Sequence, residues 1–148
     1  MKAIAVIDKN RALGKEGKLL YNIPSDLKHF KNETIGRTIV MGRKTVETMP
    51  GGKPLPGRTT IMLSRSLPFP EIPDDAIICG GAQIYAMFID KCDELILTEV
   101  DAETEDADAY FPQYKDKFEV YQESGPQTEN GVTFTIRRYR RKTQKPSV

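Results

Sequence analysis

The sequence contains no tryptophan, two cysteines and one histidine among its 148 residues. Cys79 and Cys92 lack the close spacing of a structural zinc site, so we expect no metal and two reduced thiols, as in a cytoplasmic protein. No apolar run approaches ~18 residues, and residues 1–8 run directly into an apolar strand pattern, which predicts neither a membrane span nor a targeting leader. The net charge of +1 gives no reason to expect nucleic acid as a partner.

Short apolar runs alternate along the chain with amphipathic helical patterns. The predicted buried strands cover residues 3–7, 38–41, 60–63, 76–79 and 94–100. Two later segments, 118–124 and 132–139, alternate in polarity and are joined through 125–131, as in an antiparallel hairpin. The pattern predicts a single α/β domain over 1–141, with a mostly parallel central sheet flanked by helices on both faces and a C-terminal antiparallel hairpin. A basic tail over 142–148 follows, within a cation-rich end that runs from Arg137 to Lys145.

The two runs 38–41 and 60–63 are continuous and β-branched, as in strands buried on both faces. Each is followed by polar groups, and Gly42 makes a tight turn after the first. The side chains concerned are Arg43, Lys44, Thr45, Ser64 and Arg65. Ligands of open α/β sheets bind beyond the carboxyl ends of strands, and cations near a helix start suit an anion. The sequence therefore predicts a phosphate clamp between two neighbouring strand ends.

A long polar connection, residues 9–23, precedes a helix that begins at Pro24. Connections of this length are uncommon in small domains and often serve as lids. Asp26 lies in the first turn of the helix, whose inner face carries Leu27 and Phe30. Burial there would raise the pKa of Asp26 and make it a proton donor, although a first-turn aspartate is also an ordinary partner of the helix dipole. His29 is expected to be solvated and without a role.

Gly80 and Gly81 separate a predicted strand from a predicted helix, where a ligand could approach backbone N–H groups. Glycines also serve packing, and the dinucleotide fingerprint G-x-G-x-x-G is absent. Arg58 follows Pro56-Gly57 and is a candidate clamp for a carboxylate, with an ordinary loop charge as the alternative.

Together these segments resemble dihydrofolate reductase, over nearly the whole chain. The matching motifs are N-I-P-S-D-L-K-H-F-K at 22–31, I-V-M-G-R-K-T at 39–45, P-L-P-G-R at 54–58, I-C-G-G-A-Q-I-Y at 78–85 and L-T-E-V-D-A at 97–102. The resemblance implies NADPH-dependent reduction of 7,8-dihydrofolate to tetrahydrofolate by a monomeric cytoplasmic enzyme. It also implies that residues 9–23 cover the nicotinamide and contact the acidic loop near Asp108, and that a cis peptide joins Gly80 to Gly81.

The resemblance assigns roles residue by residue. The catalytic positions are Asp26, which promotes pterin protonation, Thr98, whose hydroxyl bonds this carboxylate, and Tyr21. The substrate positions are Ile4, Ala5, Asp26, Leu27, Phe30, Met49, Lys53, Leu55, Arg58, Tyr85 and Thr98. The cofactor positions are Val6, Leu13, Gly14, Leu19, Gly42, Arg43, Lys44, Thr45, Leu63, Ser64, Arg65, Cys79, Gly80, Gly81, Ala82, Gln83, Ile84 and Tyr85. Arg43, Lys44, Ser64 and Arg65 fall on the adenosine 2′-phosphate side, which favours NADPH over NADH.

The sequence departs from the family pattern at three places. Tyr21 replaces a common tryptophan near the pterin, and Gln83 replaces a frequent arginine near the pyrophosphate. Residues 65–75 form a short connection where relatives have a longer one, which predicts weaker NADPH binding. Two alternatives stay open: a pyrimidine reductase of riboflavin synthesis on the same fold, and a non-catalytic protein that binds NADPH or folate.

Overall fold

A computed structural model describes residues 1–15, 18–21, 23–64 and 70–142. The strands are β1 (Lys2–Ile7), β2 (Ala12–Lys15), β3 (Lys18–Leu19), β4 (Thr38–Gly42), β5 (Thr59–Leu63), β6 (Ile77–Ile78), β7 (Glu94–Val100), β8 (Ala109–Tyr110), β9 (Phe118–Glu129) and β10 (Val132–Arg141). The α-helices are α1 (Pro24–Thr34), α2 (Arg43–Glu47) and α3 (Ala82–Phe88). Single 3₁₀ turns cover Pro50–Gly52 and Ile89–Lys91.

The main sheet has seven strands in the order β5-β4-β6-β1-β7-β10-β9. Strand β1 is parallel to β6 and β7, and β4 is parallel to β5 and β6. Strand β10 is antiparallel to both β7 and β9. The predicted mostly parallel sheet with a C-terminal antiparallel hairpin is therefore confirmed, and β6 is shorter than the predicted 76–79.

Helices cover both faces of this sheet, as the alternation of β1 shows. Ala3, Ala5 and Ile7 belong to the buried cluster that contains Phe88 of α3. Ile4 belongs to a second cluster, which contains Val46 of α2 and is packed by Phe30 of α1. Because successive strand residues point to opposite faces, the two clusters must lie on opposite sides of the sheet.

The prediction of burial on both faces is correct for β4 and wrong for β5. The central residues of β4 are buried, whereas Met62 in β5 is 37% exposed. The physical reason is strand order, because β5 lies at the edge of the sheet and has a neighbour on one side only. Continuous hydrophobicity does not distinguish these two positions.

The connection expected to be irregular between residues 9 and 23 contains two short strands. Strand β2 pairs antiparallel with β3 and with β8, which forms a separate three-stranded sheet. The Asp108 N–H donates to the Gly14 carbonyl at 3.1 Å, so the expected contact with the acidic loop is confirmed. Residues 16, 17 and 22 lie outside the described ranges.

The C-terminal hairpin is longer than predicted, because β9 continues through Gly125 and turns only at Asn130-Gly131. Both turn residues have positive φ, 51° and 75°, which suits an Asn-Gly hairpin turn. The sequence predicts a basic end from Arg137 onward. This is wrong for Arg137 and Arg138, because both lie within β10 and are ion-paired. Arg137 pairs with Glu99 and Glu123, and Arg138 pairs with Glu33 and Glu94. Residues 143–148 of the predicted tail and 65–69 of the short connection lie outside the described ranges.

Candidate active site

The carboxyl ends of the parallel strands meet at one edge of the sheet, and predicted site residues from several strands lie there. In the register of β1 and β7, Val6 is opposite Thr98. In the register of β4 and β5, Gly42 is opposite Leu63. The polar groups that follow Gly42 and Leu63 are therefore neighbours, as the clamp hypothesis requires.

Asp26 is a buried acidic group at this edge, with a side chain that is only 8% exposed. The Thr98 hydroxyl donates to Asp26 Oδ1 at 2.5 Å. The two residues are 72 positions apart and meet because the fold brings the first turn of α1 beside β7. The pairing expected from the resemblance is thus present.

The environment of Asp26 favours its protonated form. Burial raises the pKa of this carboxyl above its ordinary value, and this is the largest effect. The Thr98 hydrogen bond and the charge of His29 oppose the rise in pKa, whereas the charge of Glu129 adds to it. A buried carboxyl with a raised pKa can deliver a proton to a ligand near neutral pH.

Replacing Thr98 by valine should raise the pKa of Asp26 further, because the hydroxyl stabilises the ionised carboxylate and valine has nearly the same shape. We expect the upper limb of the pH–rate profile to move up by about 1 pH unit. Thr133→Val is the matched control, because its hydroxyl bonds Thr128 on the exposed hairpin. A profile that stays in place, or moves down, would contradict the role given to Thr98.

An apolar wall adjoins Asp26 and is built from residues far apart in the chain. The predicted substrate residues Ile4, Phe30, Met49 and Leu55 pack in one cluster with the core of β4. Ala5 and Tyr85 are buried in the cluster on the opposite face of the sheet. The site therefore has an aromatic and aliphatic surface suited to a flat ring system.

Leu27 does not belong to the inner face of α1, and this part of the helix prediction is wrong. Its side chain is 59% exposed, whereas Asp26 and Thr34 are buried and Phe30 is partly buried. The inner face follows the spacing i, i+4, i+8 from Asp26, and the next residue is rotated by about 100° around the helix. Leu27 can contact a ligand from the rim of the site.

His29 was expected to be solvated, and this is also wrong. Its Nε2 atom is buried and has no hydrogen-bond partner among the described residues. His29 follows Asp26 by three positions, so it lies near the same helix face.

Arg58 is held beside the C-terminal end of α1. Its Nε donates to the Pro56 carbonyl at 2.9 Å, and its Nη1 approaches Thr34 Oγ1 at 3.4 Å. Thr34 is itself anchored, since its hydroxyl donates to the Phe30 carbonyl at 2.7 Å. The guanidinium is thus positioned before any ligand arrives, whereas Lys53 is exposed.

The clamp side of the site is open and cationic. Arg43 and Lys44 are exposed at the start of α2, and Arg43 Nε is 3.7 Å from Glu47 Oε1. Ser64 follows β5 directly, next to this helix start. The neighbouring Arg65 lies outside the described residues, so its place in the clamp stays a prediction.

The backbone at Gly80-Gly81 comes close to the end of β4 and to the body of α3. The bond between the two glycines is cis, as expected. The Gly42 N–H donates to the Gly80 carbonyl at 2.9 Å. Gly80 has φ 109°, and a Cβ there would lie 3.2 Å from the Tyr85 ring, so this position requires glycine.

The predicted cofactor residues around this turn differ in their burial. Cys79 and Ala82 are partly buried, Ile84 and Tyr85 are buried, and Gln83 is exposed. The Tyr85 hydroxyl donates to the Ile4 carbonyl at 2.6 Å. On the other side of the site, Leu13 packs against the α3 cluster and Val6 against the cluster that contains Phe134. The side chain of Leu19 lies outside the description.

Asp8 is a buried group that the sequence interpretation missed. Its carboxylate accepts the N–H groups of Asn10, Ala12 and Thr104 at 2.8, 2.9 and 2.8 Å. The Tyr21 hydroxyl lies 3.3 Å from the same carboxylate and 2.7 Å from Thr104 Oγ1. The turn that follows Asp8 was the available signal, because aspartate often bonds the backbone two residues on. The Tyr21 hydroxyl therefore lies beside Asp8, directly before the 9–23 segment.

The family model "Dihydrofolate reductase" matches residues 1–141. The chain belongs to the dihydrofolate reductase family. The type 3 dihydrofolate reductase of Salmonella typhimurium is 35% identical over 128 residues, which are 75% of this chain and 77% of that protein. The Haemophilus influenzae dihydrofolate reductase is 31% identical over an alignment of 148 residues, which covers 86% of this chain and 91% of that protein.

A solved dihydrofolate reductase has the same fold. The Enterococcus faecalis enzyme, complexed with NADP(H) and RAB-propyl, superposes with a TM-score of 0.81 and 32% identity over 96% of each chain. Membership of the dihydrofolate reductase family favours folate chemistry over the pyrimidine reductase alternative.

Two absences concern the part of the chain that the structure describes. Within it, no group of three or more histidine, cysteine, aspartate or glutamate side chains is arranged to hold a metal ion. No helix there is both long and apolar enough to cross a membrane.

Proposed function

We propose that this protein reduces 7,8-dihydrofolate to 5,6,7,8-tetrahydrofolate with NADPH. The observation that carries the proposal is the buried pair of Asp26 and Thr98, which lies beside an apolar wall at the carboxyl edge of the sheet. The membership of the family and the NADP(H) complex of the Enterococcus faecalis relative support the same chemistry.

Asp26 and the residues around it contact different parts of the substrate. The carboxylate accepts hydrogen bonds from the pterin amino and ring N–H groups, and Thr98 holds it in place. The wall formed by Ile4, Phe30, Met49 and Leu55 contacts the flat rings and excludes water. Leu27 covers their outer edge, and Arg58 takes the α-carboxylate of the glutamate tail through a bidentate contact.

NADPH, when bound, supplies the hydride that adds to the carbon of the pterin imine bond. Addition of a hydride there leaves the neighbouring ring nitrogen in need of one proton. Asp26 promotes this protonation, with water as the carrier, because burial raises the pKa of its carboxyl and so favours the protonated form. Tyr21, whose hydroxyl contacts Asp8 and Thr104, holds the 9–23 segment at this side of the pterin.

The chain's own groups fit a phosphorylated cofactor. Cations at adjacent strand ends suit the 2′-phosphate, and the close glycine backbone at Gly80-Gly81 leaves its upper surface clear of side chains. We assign the cofactor to the backbone and side chains of Val6, Leu13, Gly14, Leu19, Gly42, Arg43, Lys44, Thr45, Leu63, Ser64, Arg65, Cys79, Gly80, Gly81, Ala82, Gln83, Ile84 and Tyr85.

Replacing Arg43 by glutamine should raise the KM for NADPH by about 10–100-fold, because a charge-assisted hydrogen bond to the 2′-phosphate is lost. The KM for NADH should change little, since NADH has no such phosphate. Steady-state kinetics with both cofactors measure the difference.

Arg37→Gln is the matched control for this prediction. Arg37 is an exposed cation directly before β4, at the opposite end of the strand that carries Gly42. It should alter neither KM. Equal losses with NADPH and NADH in Arg43→Gln would remove the 2′-phosphate assignment.

The direct test of the proposed function is NADPH oxidation in the presence of dihydrofolate, compared with NADH. Turnover that depends on dihydrofolate supports the enzyme. Tight binding of NADPH and of an antifolate by folded protein, without turnover, would instead support the non-catalytic alternative.

We also propose that the protein acts as a cytoplasmic monomer that needs no nucleic acid. Cys79 and Cys92 are both free thiols, which suits a reducing compartment. Light scattering of the purified protein tests the oligomeric state, and a mass of twice 16.7 kDa would overturn this part of the proposal.

A further inference from the structure

The C-terminal hairpin reaches the start of the helix that carries Asp26. Glu129 is the last residue of β9, directly before the Asn130-Gly131 turn. Its Oε1 accepts the Ser25 N–H at 2.9 Å, across 104 residues of sequence. An acidic side chain from the hairpin therefore contacts the residue next to Asp26.

This contact completes the first turn of α1. The N-cap residue Ile23 supplies no side-chain cap, and Pro24 has no N–H group. The N–H groups of Asp26 and Leu27 both donate to the Ile23 carbonyl, at 2.9 and 3.2 Å. The Ser25 N–H is the remaining donor of this turn, and the Glu129 carboxylate accepts its hydrogen bond. A carboxylate also interacts favourably with the positive end of a helix.

Glu129 is one of a few polar or titratable groups that face Asp26. Thr98 on β7 donates a hydrogen bond, and His29 on α1 favours the ionised form through its charge. Tyr85 on α3 lies on the opposite face of the sheet and stays a neutral phenol, since burial raises its pKa well above the ordinary value. Glu129 on β9 is the group of like charge, and it favours the protonated form. The charge of the hairpin therefore acts against the charge of His29.

We propose that Glu129 is a positioning residue for the reaction, which fixes the first turn of α1 and holds a negative charge beside Asp26. Its role in turnover rests on the proposed function, whereas its effect on the ionisation of Asp26 does not.

The deciding variant is Glu129→Gln, which keeps an oxygen acceptor for the Ser25 N–H and removes the charge. We expect the titration midpoint of Asp26 to fall by about 0.3–0.5 pH units, the size typical of like charges in partly solvated surroundings. The midpoint is measured by carbon-13 NMR of the labelled aspartate carboxyls, with Asp26→Asn protein identifying the signal. The upper limb of the pH–rate profile should move down by the same amount.

Two further variants separate charge from structure. Glu129→Asp keeps the charge on a shorter side chain, so the midpoint should stay close to that of the parent while the helix start loosens. Glu119→Gln removes a carboxylate from the same strand, where Glu119 pairs with Arg140 instead of reaching α1. It should leave both the midpoint and the profile unchanged.

A midpoint that is unchanged in Glu129→Gln, or that falls equally in Glu119→Gln, would overturn the proposal. A fall in the NMR midpoint without any dihydrofolate turnover would remove the proposed function and leave the inference about Asp26 standing. A fall in both the midpoint and the profile supports the two together.

Discussion

Asp26→Asn is expected to lower turnover about 10²–10⁴-fold near neutral pH, because asparagine cannot promote the protonation of the pterin nitrogen. The amide keeps an oxygen acceptor for the Thr98 hydroxyl, so the geometry of the site is retained. The wild-type rate should fall as pH rises through the raised pKa of Asp26, and the variant should lose this step. Steady-state kinetics across a pH series measure both effects.

The fold of Asp26→Asn should remain intact, because a buried group that can carry a charge is replaced by a neutral one of the same shape. Its free energy of unfolding should equal or exceed that of the parent protein. Asp101→Asn is the control, since Asp101 is exposed in an ion pair with Lys9. Full activity of Asp26→Asn at neutral pH would remove the assignment.

Asp8→Ala is expected to destabilise the protein by about 3–5 kcal/mol, because three backbone N–H groups lose a charged acceptor at a site that is 3% exposed. This is a large share of the roughly 5–15 kcal/mol that stabilises a typical domain. Urea unfolding measures the loss. Faster amide exchange at Ala12 and Thr104 would locate it at this carboxylate.

The matched control for Asp8 is Asp101→Ala. Asp101 lies nearby and bonds Lys9 at 2.7 Å, but both side chains are more than half exposed. Exposed ion pairs contribute little to stability, so this variant should unfold nearly as the parent does. Equal stabilities for Asp8→Ala and Asp101→Ala would show that the buried carboxylate does not organise this region.

Local chemistry made several features predictable. Pro24 followed by an acidic first turn predicts the start of α1, and the apolar run at 94–100 predicts β7 with its observed bounds. The glycine and cations after the run at 38–41 predict a turn into α2. These features depend on residues within a few positions of each other, so backbone preference and periodicity are sufficient to find them.

The motifs also brought Asp26 and Thr98 together before the structure did, through the resemblance to a known family. Spacing alone did not, because 72 residues separate them. The contact forms only when the fold brings the first turn of α1 beside β7. Periodicity likewise placed Leu27 on the inner face of α1, because it cannot resolve a rotation of one residue around a helix.

At the predicted clamp between β4 and β5, the amino-acid sequence is sufficient to predict the strands, the glycine turn and the cations that follow them. The three-dimensional fold is needed to show that β5 is an edge strand, that Asp8 binds Thr104 across 96 residues, and that Glu129 binds Ser25 across 104. The physical reason is that such contacts depend on strand order and register over the whole sheet. No local pattern of polarity encodes which distant side chain will meet a given N–H group.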